Sequence, residues 1–232
     1  MAYPGGKSGA GVYQKIINQM PVHDVYIEPF LGGGAVLKAK RRSSVDIGIE
    51  ADIDVVETWR HDLDWCRVTV INADAISYLP ALVETERRDE ARVLVYADPP
   101  YLGSSRASNR LIYNHEMMSE EDHLVLLTML KSLPCMVMLS GYASDLYEKE
   151  LEGWRSISFQ AMTRGGFAAT EWLWMNFPEP FELHDYRYLG ENYRERERIR
   201  RKQKRWRSRL ESMPALERYA LLEVVNLARD EV

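Results

Sequence analysis

A chain of 232 residues, 46% hydrophobic and 28% charged, is long enough to bury one large core with a small appendage. It holds no run of about 18 apolar residues to span a bilayer. Its opening MAYPGGKSGA lacks the apolar stretch of a signal peptide, so no membrane association is expected and the cytoplasm is the expected compartment. Cys66 and Cys135 stand without a CxxC pair, and His23, His61, His123 and His184 form no metal-binding arrangement, so neither a zinc site nor a disulfide framework is expected.

From the amino terminus, the loop Tyr3-Pro4-Gly5-Gly6-Lys7 introduces a helical pattern over Gly9–Met20. The first strand pattern, Val25–Phe30, runs into Glu28-Pro29-Phe30-Leu31-Gly32-Gly33-Gly34 and then a helix over Ala35–Arg42. Three adjoining glycines leave backbone N–H groups open to a ligand, although such a turn also serves plain close packing. They differ from the spaced G-x-G-x-x-G series that cradles a pyrophosphate, which directs the reading away from a dinucleotide. The second strand, Asp46–Ala51, ends in Glu50-Ala51-Asp52, where Glu50 can accept hydrogen bonds from both hydroxyls of a ribose. A helix follows over Ile53–Asp64, in or beside which Trp59 and Trp65 read as packing residues. The third strand, Val68–Ala73, leads to Asp74, which can accept from an adenine amino group, cap the helix over Ala75–Arg88, or do both.

The fourth strand, Val93–Asp98, delivers Asp98-Pro99-Pro100-Tyr101 at its carboxyl end. Two prolines remove two backbone donors and fix φ, so this segment presents acceptors only. An aromatic exocyclic amine has two N–H donors and a lone pair delocalised into its ring. If Asp98 accepts one hydrogen and the Pro99 carbonyl the other, the nitrogen is drawn toward tetrahedral geometry and its lone pair can attack a sulfonium methyl in line. Tyr101 can stack on the base, and a base inside a duplex must first be rotated out. His115, in the polar loop that follows, is read as a loop histidine and not as a general base.

Ser119 followed by acidic residues opens a helix through Ser132, and strand patterns over Cys135–Ser140, Ser156–Ala161 and Glu171–Phe177 bring the total to seven. Strands alternating with helices predict an α/β, Rossmann-like fold: a mostly parallel seven-stranded sheet with helices on both faces and ligands beyond the strands' carboxyl ends. Pro178-Glu179-Pro180 ends regular structure, which places the sheet domain at residues 1–180 and a basic helical extension at 181–232. The extension is expected to form helices over about Tyr186–Leu210 and Ala215–Arg229, broken at Pro214. Between Arg187 and Glu211, eleven Lys/Arg face four acidic residues, so a local charge of +7 sits on a body of −12. Such polarity suits an enzyme that meets phosphates through one segment; a solvated arm with i,i+4 pairs or a partner-binding helix carries the same pattern.

Taken in order, Tyr3–Lys7, Glu28–Gly34, Glu50–Asp52, Asp74 and Asp98–Tyr101 resemble the Dam-type family of DNA adenine N6-methyltransferases, over roughly residues 3–177. The resemblance implies S-adenosylmethionine as cofactor and DNA as partner. It places Tyr3, Pro4, Lys7, Glu28, Pro29, Phe30, Gly32, Gly34, Glu50, Asp52, Asp74 and Asp98 at the cofactor, and Asp98, Pro99, Pro100 and Tyr101 in catalysis. The strand Trp172–Phe177, with Asn176, is similar to the family's closing strand near the target pocket. One departure stands out: the family's target-recognition domain lies between the third strand and the tetrapeptide, and here that interval holds only a helix, as in a compact phage-like member. Three segments are candidates for its work: the loop Leu102–Met118 with Arg106, Asn109, Arg110 and Tyr113; the turn Met162–Phe167 with Arg164; and the basic arm with Arg200, Arg201 and Lys204. The same chemistry serves an RNA base amine, and a catalytically idle nucleic-acid-binding module is a further alternative. Methylation of protein glutamine fits less well, since it resembles Asn-Pro-Pro-Tyr and needs no basic arm.

Overall fold

The computed structural model of the protein describes Lys7 and residues 11–101, 119–162 and 168–230. The chain divides into two compact units, Met1–Tyr186 and Arg187–Val232. Among the described residues the first unit is built on seven strands: β1 Val25–Pro29, β2 Val45–Glu50, β3 Thr69–Asn72, β4 Val93–Ala97, β5 Met136–Gly141, β6 Arg155–Met162 and β7 Ala168–Met175. Their order across the sheet is β3-β2-β1-β4-β5-β7-β6. The first five are parallel, and β7 is antiparallel to both β5 and β6. This is the mostly parallel Rossmann-like sheet that the alternating elements predict.

The helices are α1 Val12–Ile17, α2 Ala35–Ala39, α3 Ile53–Arg60, α4 Ala75–Glu86, α5 Glu120–Ser132 and the short α6 Asp145–Glu150, the last not foreseen in the sequence. From β1 to β3 the chain steps one way across the sheet, and from β3 to β5 the other, so right-handed crossovers put their helices on opposite faces. Side-chain alternation agrees. Val25, Ile27, Ile49, Val95, Ala97, Val137 and Leu139 share one core with Leu79 and Val83 of α4 and Leu126 and Leu130 of α5. Tyr26, Leu94, Tyr96 and Met138 alternate onto the other face, where Lys40, just after α2, lies over the Tyr26 ring. A strand residue's parity therefore decides which layer it meets.

Local capping sets the helix ends. Ser119 and Asp122 form a reciprocal capping box on α5. Helix α3 stops at Arg60, short of the expected Asp64, because the Asp62 carboxylate accepts from the Asp64 N–H at 3.2 Å and starts a separate 3-10 turn over Leu63–Trp65. Beyond β7 the prolines end the strand, yet the chain keeps packing on the first unit. Leu183 bridges Pro21, the His184 ring stacks on His23 with centroids 3.9 Å apart, and Asp185 accepts from the Arg41 N–H at 2.8 Å.

The second unit holds α7 Tyr193–Glu211 and α8 Ala215–Asp230, broken at Pro214. Helix α7 begins later than the expected Tyr186, after Gly190 in positive-φ backbone (128°), where Asn192 caps the Glu195 N–H at 3.0 Å. It buries none of its residues. No helix among the described residues is long and apolar enough to cross a membrane, and no cluster of three metal-ligating side chains occurs among them.

Candidate active site

β1 and β4 are neighbours at the centre of the sheet, but the chain leaves β1 toward β2 and leaves β4 toward β5. The two exits diverge and leave a cleft at the strands' carboxyl ends. The glycine turn follows β1 and the Asp-Pro-Pro-Tyr tetrapeptide follows β4, so the two strongest sequence motifs meet at this switch point.

On the turn side, Phe30 takes φ 61°, a left-handed conformation costing a non-glycine residue roughly 1–2 kcal/mol. Gly32 (46°) and Gly34 (58°) share that region, which their missing Cβ permits. At Gly34 the demand is also steric: a Cβ there would lie 2.7 Å from Trp59 Cη2. Trp59 is buried under the turn and donates its indole N–H to the Gly32 carbonyl at 2.9 Å, the packing role expected of it. Glu50 holds the turn from above β2, its Oε2 accepting from the Gly32 N–H at 2.8 Å and its Oε1 from the Asp52 N–H at 3.0 Å. Each oxygen keeps a further lone pair. Asp52 caps α3 through the Asp54 N–H at 2.9 Å, and Asp74 caps α4 through the Ser77 N–H at 3.0 Å.

On the tetrapeptide side, parity assembles the site. Tyr96, Asp98 and Ser140 all fall on the face opposite the α4–α5 core, and Glu171 joins them because antiparallel β7 sets Leu173 across from Ser140. Asp98 Oδ1 accepts from Ser140 Oγ at 2.8 Å, and Ser140 in turn lies 3.0 Å from the Tyr96 hydroxyl. The Lys7 ammonium lies 2.9 Å from the same Asp98 Oδ1, 3.2 Å from Glu171 Oε2, and donates to the Tyr101 hydroxyl. The Tyr101 ring leans on Tyr142, centroids 4.5 Å apart.

The charges in this cluster sustain one another. Burial works against the Lys7 charge, but Asp98, followed by Tyr96 and Glu171, more than offsets it and holds the ammonium above its ordinary range. Burial raises the Glu171 carboxyl, with Lys7 opposing and Asp98 adding to the rise. Tyr96 is pushed far up by burial and by Asp98. Glu28 is raised to about 8, chiefly by burial; its Oε2 accepts from the Tyr26 hydroxyl at 2.7 Å and the Leu37 N–H at 3.0 Å.

The expected residues are thus sorted. Phe30, Gly32, Gly34, Glu50 and Asp52 gather at the turn, with Pro29 ending β1 and Glu28 bonded beneath them, and Asp98, Pro99, Pro100 and Tyr101 stand across the switch point. Lys7, expected at the cofactor, contacts Asp98 and Tyr101 of the tetrapeptide. Asn176 requires a correction. It bonds the Val137 N–H at 2.8 Å and the Cys135 carbonyl at 2.9 Å, at the amino end of β5. Because β7 runs antiparallel, its carboxyl end lies away from the cleft, and Glu171, nearer its start, is the strand's residue at the site. Tyr3, Pro4, Arg106, Asn109, Arg110, Tyr113 and Arg164 lie outside the described residues, while Arg200, Arg201 and Lys204 lie on α7. Sequence reading passed over Ser140, Tyr142 and Glu171; period-2 alternation along β5 and β7 was the available signal for the first and last.

A strand-order switch flanked by a glycine turn, an acidic second strand end and an acceptor-only tetrapeptide defines an S-adenosylmethionine-dependent methyltransferase. Residues 68–163, which include the tetrapeptide, match the family model of the D12 class N6 adenine-specific DNA methyltransferases. The motif resemblance and this match point to the same family. Similar solved structures include a dimethyladenosine transferase from Plasmodium falciparum (10% identity over 70% of this chain and 59% of that one, TM-score 0.45). An S-adenosylmethionine-dependent methyltransferase from Agrobacterium tumefaciens (12%, 71% and 60%, TM-score 0.42) and the O-methyltransferase TomG from Streptomyces achromogenes (13%, 70% and 77%, TM-score 0.43) are comparably distant. No curated protein sequence matches the chain. The residues present fit the cofactor. Its ribose and amino groups are donors and its sulfonium a cation, and the cleft offers acceptors to match: Glu50, whose two oxygens each accept one backbone N–H and keep a further lone pair, and the Asp74 and Asp98 carboxylates at the next strand ends.

Proposed function

We propose that the protein methylates the N6 exocyclic amine of adenine in DNA. The observation that carries this reading is the position of Asp98, side chain 19% exposed at the cleft, with one oxygen tied to Ser140 and Lys7. Its other oxygen is then left to accept a hydrogen from the target amine, and the Pro99 carbonyl accepts the second. Tyr101 and Tyr142 offer aromatic faces to a planar base rotated out of the helix. S-adenosylmethionine, when bound, supplies an electrophilic methyl group. The chain's own part is to orient the amine lone pair, stabilise the growing positive charge on nitrogen, and take the departing proton at Asp98. Asp74 and Glu50 serve the adenine and ribose of the cofactor in this reading, and Phe30, Gly32 and Gly34 shape the turn against it. The family match over residues 68–163 supports adenine and DNA as the target.

Purified protein given labelled S-adenosylmethionine is expected to label oligonucleotides that contain adenine and to leave adenine-free ones unlabelled; equal labelling of both overturns the assignment. Duplex DNA is expected to compete for label better than structured RNA.

The basic arm gives this substrate its grip in our reading. Arg198, Arg201, Lys204, Arg205 and Ser208 share one face of α7 by their three- and four-residue spacing, and Arg200 is paired to Glu197 at 3.1 Å. Replacing Arg198, Arg201, Lys204 and Arg205 by Gln should lower DNA affinity uniformly across sequences. It should also flatten the salt dependence, each lost phosphate contact removing about 0.9 from the log–log slope. Fluorescence anisotropy over a salt series measures this, and an unchanged slope would take that face of α7 out of the interface.

A further inference from the structure

We infer that Glu171 is a positioning residue that sets the net charge of the active site at −1, so that positive charge developing on the target amine is stabilised despite the Lys7 ammonium. This rests on the reading of Asp98 given above. Asp98 and Lys7 alone would form a neutral pair, and an amine becoming cationic beside them would face an ammonium already within 2.9 Å of the carboxylate meant to help it. Glu171 changes that balance. It stands 3.2 Å from the ammonium on the side supplied by β7, and it is 7% exposed. Among the described residues, the charged and titratable groups that face it are Lys7, Asp98 and the Tyr101 phenol. One cation between two carboxylates leaves a single negative charge in a place sheltered from water, where it acts at low dielectric screening.

The consequence for the transfer is direct. The amine lone pair forms the new N–C bond, the S–C bonding pair returns to sulfur, and the positive charge moves onto nitrogen. It then departs as a proton taken by the Asp98 carboxylate. As these bonds exchange, the positive charge moves from sulfur onto the nitrogen held at Asp98, closer to the cluster, so a net charge of −1 there favours the transition state over the bound sulfonium. The ammonium is also a template: it touches Asp98, Glu171 and Tyr101 together, so Glu171 fixes from outside the tetrapeptide the group that orients both of its functional ends.

The substitution Glu171→Gln keeps the volume and an acceptor while removing the charge. It should lower the single-turnover methylation rate by about 10- to 100-fold. Titration calorimetry with S-adenosylmethionine and with its uncharged-sulfur product S-adenosylhomocysteine gives a readout that needs no nucleic acid. The affinity ratio should shift by roughly ten-fold against the sulfonium form, while the product's own affinity stays nearly constant. Glu171→Asp, which keeps the charge, should retain the wild-type ratio even if its rate falls. A purely structural residue would weaken both ligands together. An unchanged ratio and an unchanged rate in Glu171→Gln overturn the proposal, as does a Glu171→Asp variant that loses the ratio. If the acceptor were not adenine in DNA, labelling would fail while the calorimetric ratio still decided the role of Glu171.

Discussion

Replacing Asp98 by Asn is expected to lower methyl transfer by about 10³-fold or more while changing S-adenosylmethionine affinity by less than about ten-fold. The asymmetry follows from geometry. The carboxamide oxygen of Asn can still accept from Ser140 and Lys7, which now share Asp98 Oδ1 at 2.8 and 2.9 Å, so the local structure survives. The second position becomes an NH₂ group, and two donors would then face each other where the target amine must be held. The charge that stabilises the nascent ammonium is lost as well. Single-turnover rates and titration calorimetry separate the two effects; a rate within ten-fold of wild type would remove Asp98 from the chemistry.

The second large effect is expected at Lys7, whose substitution Lys7→Met strips a buried cation from between the buried Glu171 and the partly buried Asp98 carboxylates. Removing one partner of a buried ionic group costs about 3–5 kcal/mol, because the charges left behind have no compensation. Asp98 and Glu171 would then repel, and one of them would take up a proton. We expect the melting temperature to fall and the methylation rate to drop by about 10²-fold. Adding Glu171→Gln to Lys7→Met should recover part of both losses, since the repulsion between the two carboxylates is removed and the one that stays ionised is Asp98. The coupling of the two substitutions in melting and rate measurements is the quantity to read. Additive losses would mean that Lys7 and Glu171 act independently.

Much of this was legible in the chain, for identifiable reasons. The seven strands are short apolar runs bounded by turn residues, and the glycine turn and tetrapeptide each impose backbone geometry that few residue types satisfy. Asp74 was readable as a helix cap. What remained hidden depends on pairing between distant segments. Lys7 and Asp98 are joined only once the sheet is ordered, and nothing local to Glu171 distinguishes it from any polar residue on a strand. Its place follows from β7 running antiparallel beside β5, the same fact that carries Asn176 away from the cleft. The contact of Lys7 with Asp98 and Glu171 is therefore a product of topology, which the motifs alone do not disclose.

Nucleoside analysis of DNA incubated with the protein and isotopically labelled S-adenosylmethionine tests the central assignment most directly. After digestion, the label should appear in N6-methyladenine and be missing when Asp98→Asn replaces the wild-type protein. Label on cytosine or guanine, or label on RNA with none on DNA, would contradict it.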